Sequence, residues 1–372
     1  MIHRGSLDPL FCCCYNVTMT KLSPEQAIWA ADQFISYYGR FERIDDYFRM
    51  IKADRIAQKA PTLFGPEEDM FCDFDVHPQD MKFSVHVVDT SPKATTRYNQ
   101  TLYSETLNIT ASNAIEEAIP GRTHKWIVTE DTTDKVIGCV RFGSPTINSK
   151  PRNNYFGEVL PLSQINREFV MGFNIVPVQP FGFNYLGGKL LCLLAASDLL
   201  KNQFDEKYGT DLKYFETTSL YGTTKGVSMY DGMKPFIRHI GDTESKFLPL
   251  FHDAYFQEMF WWFNDNANDG ERLISADKSS KKLKIQTKMI SIVKKSLQDK
   301  DKLAEFNAII EHAKGLTERK RTFLGKFDYT AERAIEWWRK KATKRYEKLK
   351  EQGRLRRDLE LWDGKQTIDI IR

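Results

Sequence analysis

Apolar residues recur at helical spacing near the start of the chain, run through the centre in short strand-length blocks, and return to helical spacing towards the end. Ser23-Pro24-Glu25-Gln26 reads as a helix start, with Ser at the N-cap, Pro in the first turn and Gln three residues on. The apolar positions Ala27, Ala30, Phe34, Tyr37 and Tyr38 continue that helix, and a second is expected over residues 44–57. Residues 67–78 are acidic and aromatic and read as a loop, and residues 81–89 alternate like a strand. In the centre, residues 124–129 (HKWIVT) and 136–142 (VIGCVRF) flank a polar turn and predict a hairpin. A polar loop over 143–155 follows. Residues 168–177 (EFVMGFNIVP) form an apolar run expected to be a strand buried on both faces. A Gly-rich turn over 179–188 leads to a helix expected over 189–208, closed by Gly209, and then to a strand over 212–219. Beyond Gly241 the spacing is helical over 247–264, 276–300, 301–315 and 330–351.

The order strand, Gly-rich turn, helix, strand is a βαβ unit joined to an antiparallel hairpin, so the sheet is expected to be mixed and the class α/β (α+β). The domains expected are 1–22, a disordered tail or mis-called start; 23–80, an N-terminal helical segment; 81–245, a catalytic core; and 246–372, a helical, basic, nucleic-acid-binding region.

With 372 residues, 41% hydrophobic and 28% charged, the chain has ample core material and is not a mainly disordered one. It lacks any apolar stretch of the roughly 18 residues a membrane helix needs, so no membrane partner is expected. The net charge of +4 hides an asymmetry. Residues 271–372 carry 28 basic and 16 acidic residues, and the rest carry 26 and 34. A basic quarter on an acidic body predicts a polyanion partner, DNA first; solvated helices would give the same count. Cys72, Cys139 and Cys192 lie in apolar surroundings and read as buried free thiols, with no zinc spacing, so no metal ligand is assigned. The triplet Cys12, Cys13 and Cys14 lies in an opening segment without a signal-peptide core. Together these predict a reducing, cytoplasmic setting, in a host or phage-infected bacterial cell.

The turn carries the candidate chemistry. Gly182, Gly187 and Gly188 let backbone approach a ligand, and the following helix start presents free N–H groups to an anion such as a pyrophosphate. Neither a GxxxxGK[ST] nor a GxGxxG spacing is present. The order of elements, with Gly138 inside VIGCVRF, resembles the Gcn5-related N-acetyltransferase fold. That resemblance implies an acyl-CoA or related acyl donor held along Val176 and Val178 and around Phe183, Leu186, Gly187, Gly188 and Lys189. The turn departs from that family's Q/RxxGxG/A pattern, reading Gln179-Pro180-Phe181-Gly182 and then Leu186-Gly187-Gly188. Across roughly 120–245, the run LGGKLLCLLAASD…KYGTDLKYFETTSLYG is similar to the phage Mom family of DNA-adenine modifiers and to the DruA component of Druantia anti-phage systems. The Mom resemblance implies a transferase that places a carbamoylmethyl-type group on an exocyclic amine of DNA, in the service of restriction evasion.

Transfer to an amine requires removal of its proton and a donor for the developing oxyanion. Glu216 is the candidate base, with Ser219, Tyr221 and Tyr230 as the candidate hydroxyls. The resemblance to acetyltransferases places Ser219 or Tyr221 as the acid for a leaving thiolate. Alternation along the strand puts Glu216 and Thr218 on one face and Thr217 and Ser219 on the other. On the helix expected over 330–351, Ala334, Ile335, Trp338, Ala342, Tyr346 and Leu349 form an apolar stripe. Arg339, Lys340, Lys341, Lys344, Arg345 and Lys348 occupy its other faces as candidate phosphate contacts, with Arg354, Arg356 and Arg357 beyond. Base chemistry inside a duplex also requires the base to be flipped out, with aromatics such as Trp261, Trp262 or Tyr221 to stack on it. Three functions follow: a Mom-like DNA-modifying transferase; an acetyl-CoA-dependent N-acyltransferase acting on a protein or small amine; and a DNA-binding phage or defence protein without chemistry. The donor, the modified base and the oligomeric state stay open at this point.

Overall fold

The computed structural model describes residues 22–58, 66–116, 121–219, 228–243, 248–266, 282–317 and 319–362. Two compact units divide the chain: 1–40 with Leu248–Ala313, and Phe41–Phe247 with Lys314–Arg372. Both units cross the segment boundaries expected from composition.

The first unit holds the helices Pro24–Gly39, Asp253–Asp265 and Lys282–Ser296 and most of Lys300–Gly315. Its opening is the reciprocal cap expected at Ser23: the Gln26 amide donates to Ser23 Oγ at 3.2 Å and the Ser23 amide to Gln26 Oε1 at 2.9 Å. Phe34 packs against Phe251 and Phe306 with ring centroids 4.8 and 5.6 Å away. The buried Tyr38 hydroxyl donates to Pro249 O at 2.6 Å and accepts from Gln286 Nε2 at 2.7 Å. This leaves no cost of an unmet polar group at that point in the core. Trp262, a candidate for stacking on a base, stacks instead on Trp29 at 4.2 Å, while Trp261 is exposed.

The second unit is built on a mixed sheet with seven strands among the described residues: β1 Phe83–Val87, β2 Thr123–Glu130, β3 Lys135–Gly143, β4 Phe169–Pro177, β5 Tyr214–Ser219, β6 Ile237–Asp242 and β7 Arg321–Lys326. Their order is β1-β2-β3-β4-β5-β7-β6, and only β4 and β5 run parallel. The fold is thus α+β with a mixed, open sheet. β7 falls in a stretch to which the pattern assigned no element, and it enters the sheet between β5 and β6. The helix expected over 189–208 is two helices, Gly187–Ala195 and Asp198–Tyr208, because Ser197 ends one and its side chain caps the next at Leu199 N. The stretch after β1 carries a helix the pattern did not show, Gln100–Ile109, capped by Asn99. Within the expected loop 143–155 lies a further helix, Lys150–Phe156.

One face of the sheet is covered by Gly187–Ala195, Asp198–Tyr208 and Ala331–Glu351. The last of these buries the stripe Ala334, Trp338, Ala342, Tyr346 and Leu349, and Trp338 Nε1 donates to Tyr185 O at 2.8 Å. Gly138 explains why this packing is close. A Cβ there would lie 2.6 Å from both Leu191 Cδ1 and Val176 O. On the other face, Gln100–Ile109 covers Ile127, Cys139 and Val176, while Lys150–Phe156 and Leu162–Glu168 flank Phe169 and Leu324. Cys139 and Cys192 are buried free thiols; Cys72 differs in being half-buried; Cys12, Cys13 and Cys14 lie outside the described residues. Among the described residues no helix is long and apolar enough to cross a membrane.

Candidate functional site: an opening between two parallel strands

β4 and β5 pair over four positions, Phe169↔Tyr214 to Gly172↔Thr217, and then part. The cause is local. Arg141 of β3 pairs with Asn174 and Phe142 with Gly172, so Phe173 is an extra residue in β4, a bulge that bends the strand. Meanwhile β5 is held on its far side by β7 through Ser219↔Arg321. Residues 173–177 of β4 therefore have β3 on one side and, among the described residues, no strand on the other. This unpaired edge leads straight into the Gly-rich turn.

The turn holds a cis Gln179–Pro180 bond, the short helix Phe181–Tyr185, and Leu186 at φ +56° before Gly187–Ala195. Two of its glycines are packed by the protein's own side chains. A Cβ on Gly187 would meet the Phe181 ring at 2.5 Å, and one on Gly188 would meet Met229 Cε at 2.2 Å. Phe181 is fully buried, whereas Met229 is 37% exposed and ends in a flexible thioether, so only the second contact yields easily. Val176 and Val178 turn their side chains into the core with Tyr103 and Cys139, leaving backbone as what they offer a ligand. Lys189 does not reach out to an anion. Its Nζ donates to Met229 O at 2.9 Å and to Asp231 O, and burial pulls its pKa down.

The candidate hydroxyls and the candidate base separate across the sheet. Tyr230 is buried, with its hydroxyl beside the Thr217 side chain and its ring packed on Phe323 at 5.4 Å; burial holds its hydroxyl protonated far above the ordinary tyrosine range. Thr217 also donates to Gly172 O at 3.0 Å, so Tyr230 sits at the point where β4 and β5 diverge. Asp231 fixes this segment by accepting from Arg321 at 2.6 Å and from Ser228 N at 2.8 Å. Ser219 is buried at the end of β5, on the Thr217 face by alternation. Tyr221 lies outside the described residues. Glu216 lies on the opposite face, in an ion pair with Arg152 at 2.9 Å and accepting from Ser149 Oγ at 3.1 Å. Both members of the pair are almost fully buried, and burial pushes the Glu216 carboxyl up against the pull of Arg152 and Ser149.

A third group was not singled out by sequence. Lys125 of β2, Arg141 of β3 and Asn174 of β4 are register partners in one row across three strands. Lys125 Nζ donates to Gln100 Oε1 at 2.7 Å and to the Glu116 carboxylate, which also accepts from Ser104 at 3.1 Å. Tyr103 stands over Lys125, with the Asn174 amide beside its hydroxyl. The legible signal was a lone polar residue inside the apolar runs of β3 and β4, Arg141 and Asn174, whereas Lys125 sits beside His124 in the polar start of β2. Arg152 had no such signal, since it lies in a polar stretch and is buried only by tertiary packing.

Of the basic residues on Ala331–Glu351, Lys340, Lys344 and Lys348 are exposed one turn apart, and Lys341 is exposed with its ammonium 5.6 Å from the Trp337 ring. Two are engaged inside the protein. Arg339 donates to Met81 O at 2.6 Å, and Arg345 Nε to Phe183 O at 3.0 Å. Among the described residues no group of three or more His, Cys, Asp or Glu is placed to hold a metal.

The fold is that of an α+β protein in which a parallel strand pair parts ahead of a Gly-rich turn. Residues 82–227, which run from the start of the sheet through β5 and the turn, match the family model described as Druantia protein DruA. The chain matches no curated protein and no solved structure. The DruA part of the expected resemblance therefore stands on a family match.

Proposed function

We propose that the protein acts in phage defence as a DNA-directed group-transfer enzyme, with the opening between β4 and β5 as its donor site. The defence role rests on the DruA match across residues 82–227. The observation that carries the chemistry is the unpaired edge of β4 running into an uncapped helix start. Residues 173–177 offer backbone groups to an extended acyl donor, and the N–H groups of Gly187 and Gly188 suit an anion at its far end. An acyl-CoA-like donor fits this backbone cradle, with the Met229 methyl displaced from Gly188. When bound, such a donor supplies the acyl group and its thiol leaving group. As the amine nitrogen takes the acyl group and gives its proton to solvent, the C–S bond breaks, and Tyr230, kept protonated by burial, would pass its proton to the departing thiolate and regain one from water. The basic face of Ala331–Glu351 supplies phosphate contacts to the acceptor strand.

Mass spectrometry of nucleosides from DNA of cells expressing the protein tests the reading, beside Tyr230→Phe and Gly188→Asp. A new nucleoside present with the wild type and absent with both variants supports transfer to DNA. No new nucleoside, with a folded protein that still protects cells from phage, rejects it. The engagement of Lys189 and Glu216 inside the protein favours a second reading, DNA binding without chemistry. Salt-dependent DNA binding with unchanged nucleosides is its signature.

A further inference from the structure

The chain after helix Ala331–Glu351 turns back on the site. Gly353, at φ +64°, makes the reversal, and the Arg354 amide bonds Leu349 O at 2.8 Å. Asn184, fully buried, clamps the backbone of Arg356: its Nδ2 donates to Arg356 O at 2.6 Å and its Oδ1 accepts from Arg356 N at 3.2 Å. Further on, Glu360 N donates to Gln179 O at 2.9 Å. This lacing gathers arginines at Phe183, a residue of the turn itself. The guanidinium carbons of Arg345 and Arg356 lie 4.7 and 4.4 Å from the Phe183 ring centroid. Glu360 pairs with Arg356 at 2.7 Å, and among the described residues no carboxylate is paired with Arg345. Burial, and then repulsion from Arg354 and Arg356, lower the pKa of Arg345.

Guanidinium groups held this near one another repel, and an anion bridging them removes the repulsion. Stacking on an aromatic ring fixes the planar forks in advance, which favours the bidentate geometry a phosphate offers. We propose that Arg345 and Arg356, set on Phe183, together with Arg354, whose charge acts on Arg345, form a binding site for a phosphodiester of the DNA backbone beside the unpaired edge of β4. Exposed Lys344 and Lys348 on the same helix extend a positive track of the kind a strand of phosphates follows. The site deepens the DNA-directed reading and rests on it. A small nucleotide presents the same phosphate chemistry, and the test separates the two sources.

Anisotropy of a labelled duplex of about 20 bp is measured with the full chain between about 50 and 200 mM salt. Arg354→Gln and Arg356→Gln are compared with wild type and with Lys93→Gln on an exposed loop, after matching thermal melts. Each arginine variant is expected to lower the slope of log K against log salt by about 1, with Lys93→Gln unchanged. Unchanged slopes in both arginine variants overturn the site. So does saturable binding of adenosine 3′,5′-bisphosphate that is lost in the variants while the DNA slope stays the same, which assigns the arginines to a nucleotide. Because binding is read directly, modified nucleosides with unchanged slopes sink this site alone, and lowered slopes without modified nucleosides sink the transfer step alone.

Discussion

Replacing Glu216 by Gln separates a reacting carboxylate from a structural one. Arg152 is fully buried, and besides Glu216 its guanidinium donates to Thr146 O at 2.8 Å and Ile147 O at 2.6 Å, with Phe169 at 5.4 Å. The substitution keeps shape and an acceptor oxygen but removes the only negative charge paired with Arg152 among the described residues. Breaking a buried pair from one side costs about 3–5 kcal/mol, because the remaining charge is left without compensation in a medium that solvates it poorly. The two carbonyl contacts and the retained amide oxygen place this case near the lower end, about 3 kcal/mol. For a unit of this size that is a fall in melting temperature of about 6–12 °C. Calorimetry and urea titration read it, and the double variant Arg152→Met with Glu216→Leu is expected to recover most of the loss, since it removes both charges at once. If Glu216→Gln melts like the wild type while activity disappears, the ion-pair account is wrong and Glu216 is the reacting group.

Gly187→Ala is expected to cost about 1–3 kcal/mol by driving a methyl into the buried Phe181 ring, while Gly188→Ala is near neutral because Met229 swings aside; equal losses in urea titration would contradict the packing argument. This contrast makes Gly188, rather than Gly187, the position for testing the turn without unfolding it. Burial alone would raise the Glu168 carboxyl, but hydrogen bonds from Arg167, Lys213 and Gln164 hold it at about 2. Its stabilisation is therefore complete above its unfolded value of 4.5 and lost as pH falls from there towards 2. Arg167 and Lys213 are 61% and 49% exposed, so screening reduces the effect to about 1–2 kcal/mol, and Glu168→Gln should flatten this acid limb in a pH series of melts. Trp338→Ala should cost about 3–5 kcal/mol and expose Tyr185; a melt within a degree or so of wild type would mean that Ala331–Glu351 is not part of the core.

Much of the fold was legible where the information is local. The cap at Ser23, the hairpin around residues 131–134, the apolar run of β4 and the stripe on Ala331–Glu351 each follow from spacing that one element satisfies alone. β7 was not legible. Its six residues, RTFLGK, have no partner nearby in sequence, and their strand state is created by β5 and β6 on either side. Helix Gln100–Ile109 was missed for the same kind of reason, since most of what fixes it is burial of Leu102, Tyr103 and Leu107 on the sheet.

For the candidate site, the sequence by itself determined the βαβ order, the glycines of the turn, the alternation along β5 and the excess of basic residues in the last quarter. Those are properties of neighbours along the chain. Only the tertiary structure decided which charges are spent and which are left to act. It gave Glu216 to Arg152, Lys189 to two carbonyls and Arg339 to Met81, and it gathered Arg345 and Arg356 at Phe183. The physical reason is that a side chain's chemistry depends on desolvation and on partners tens to hundreds of residues away, and both exist only once the chain has closed around them.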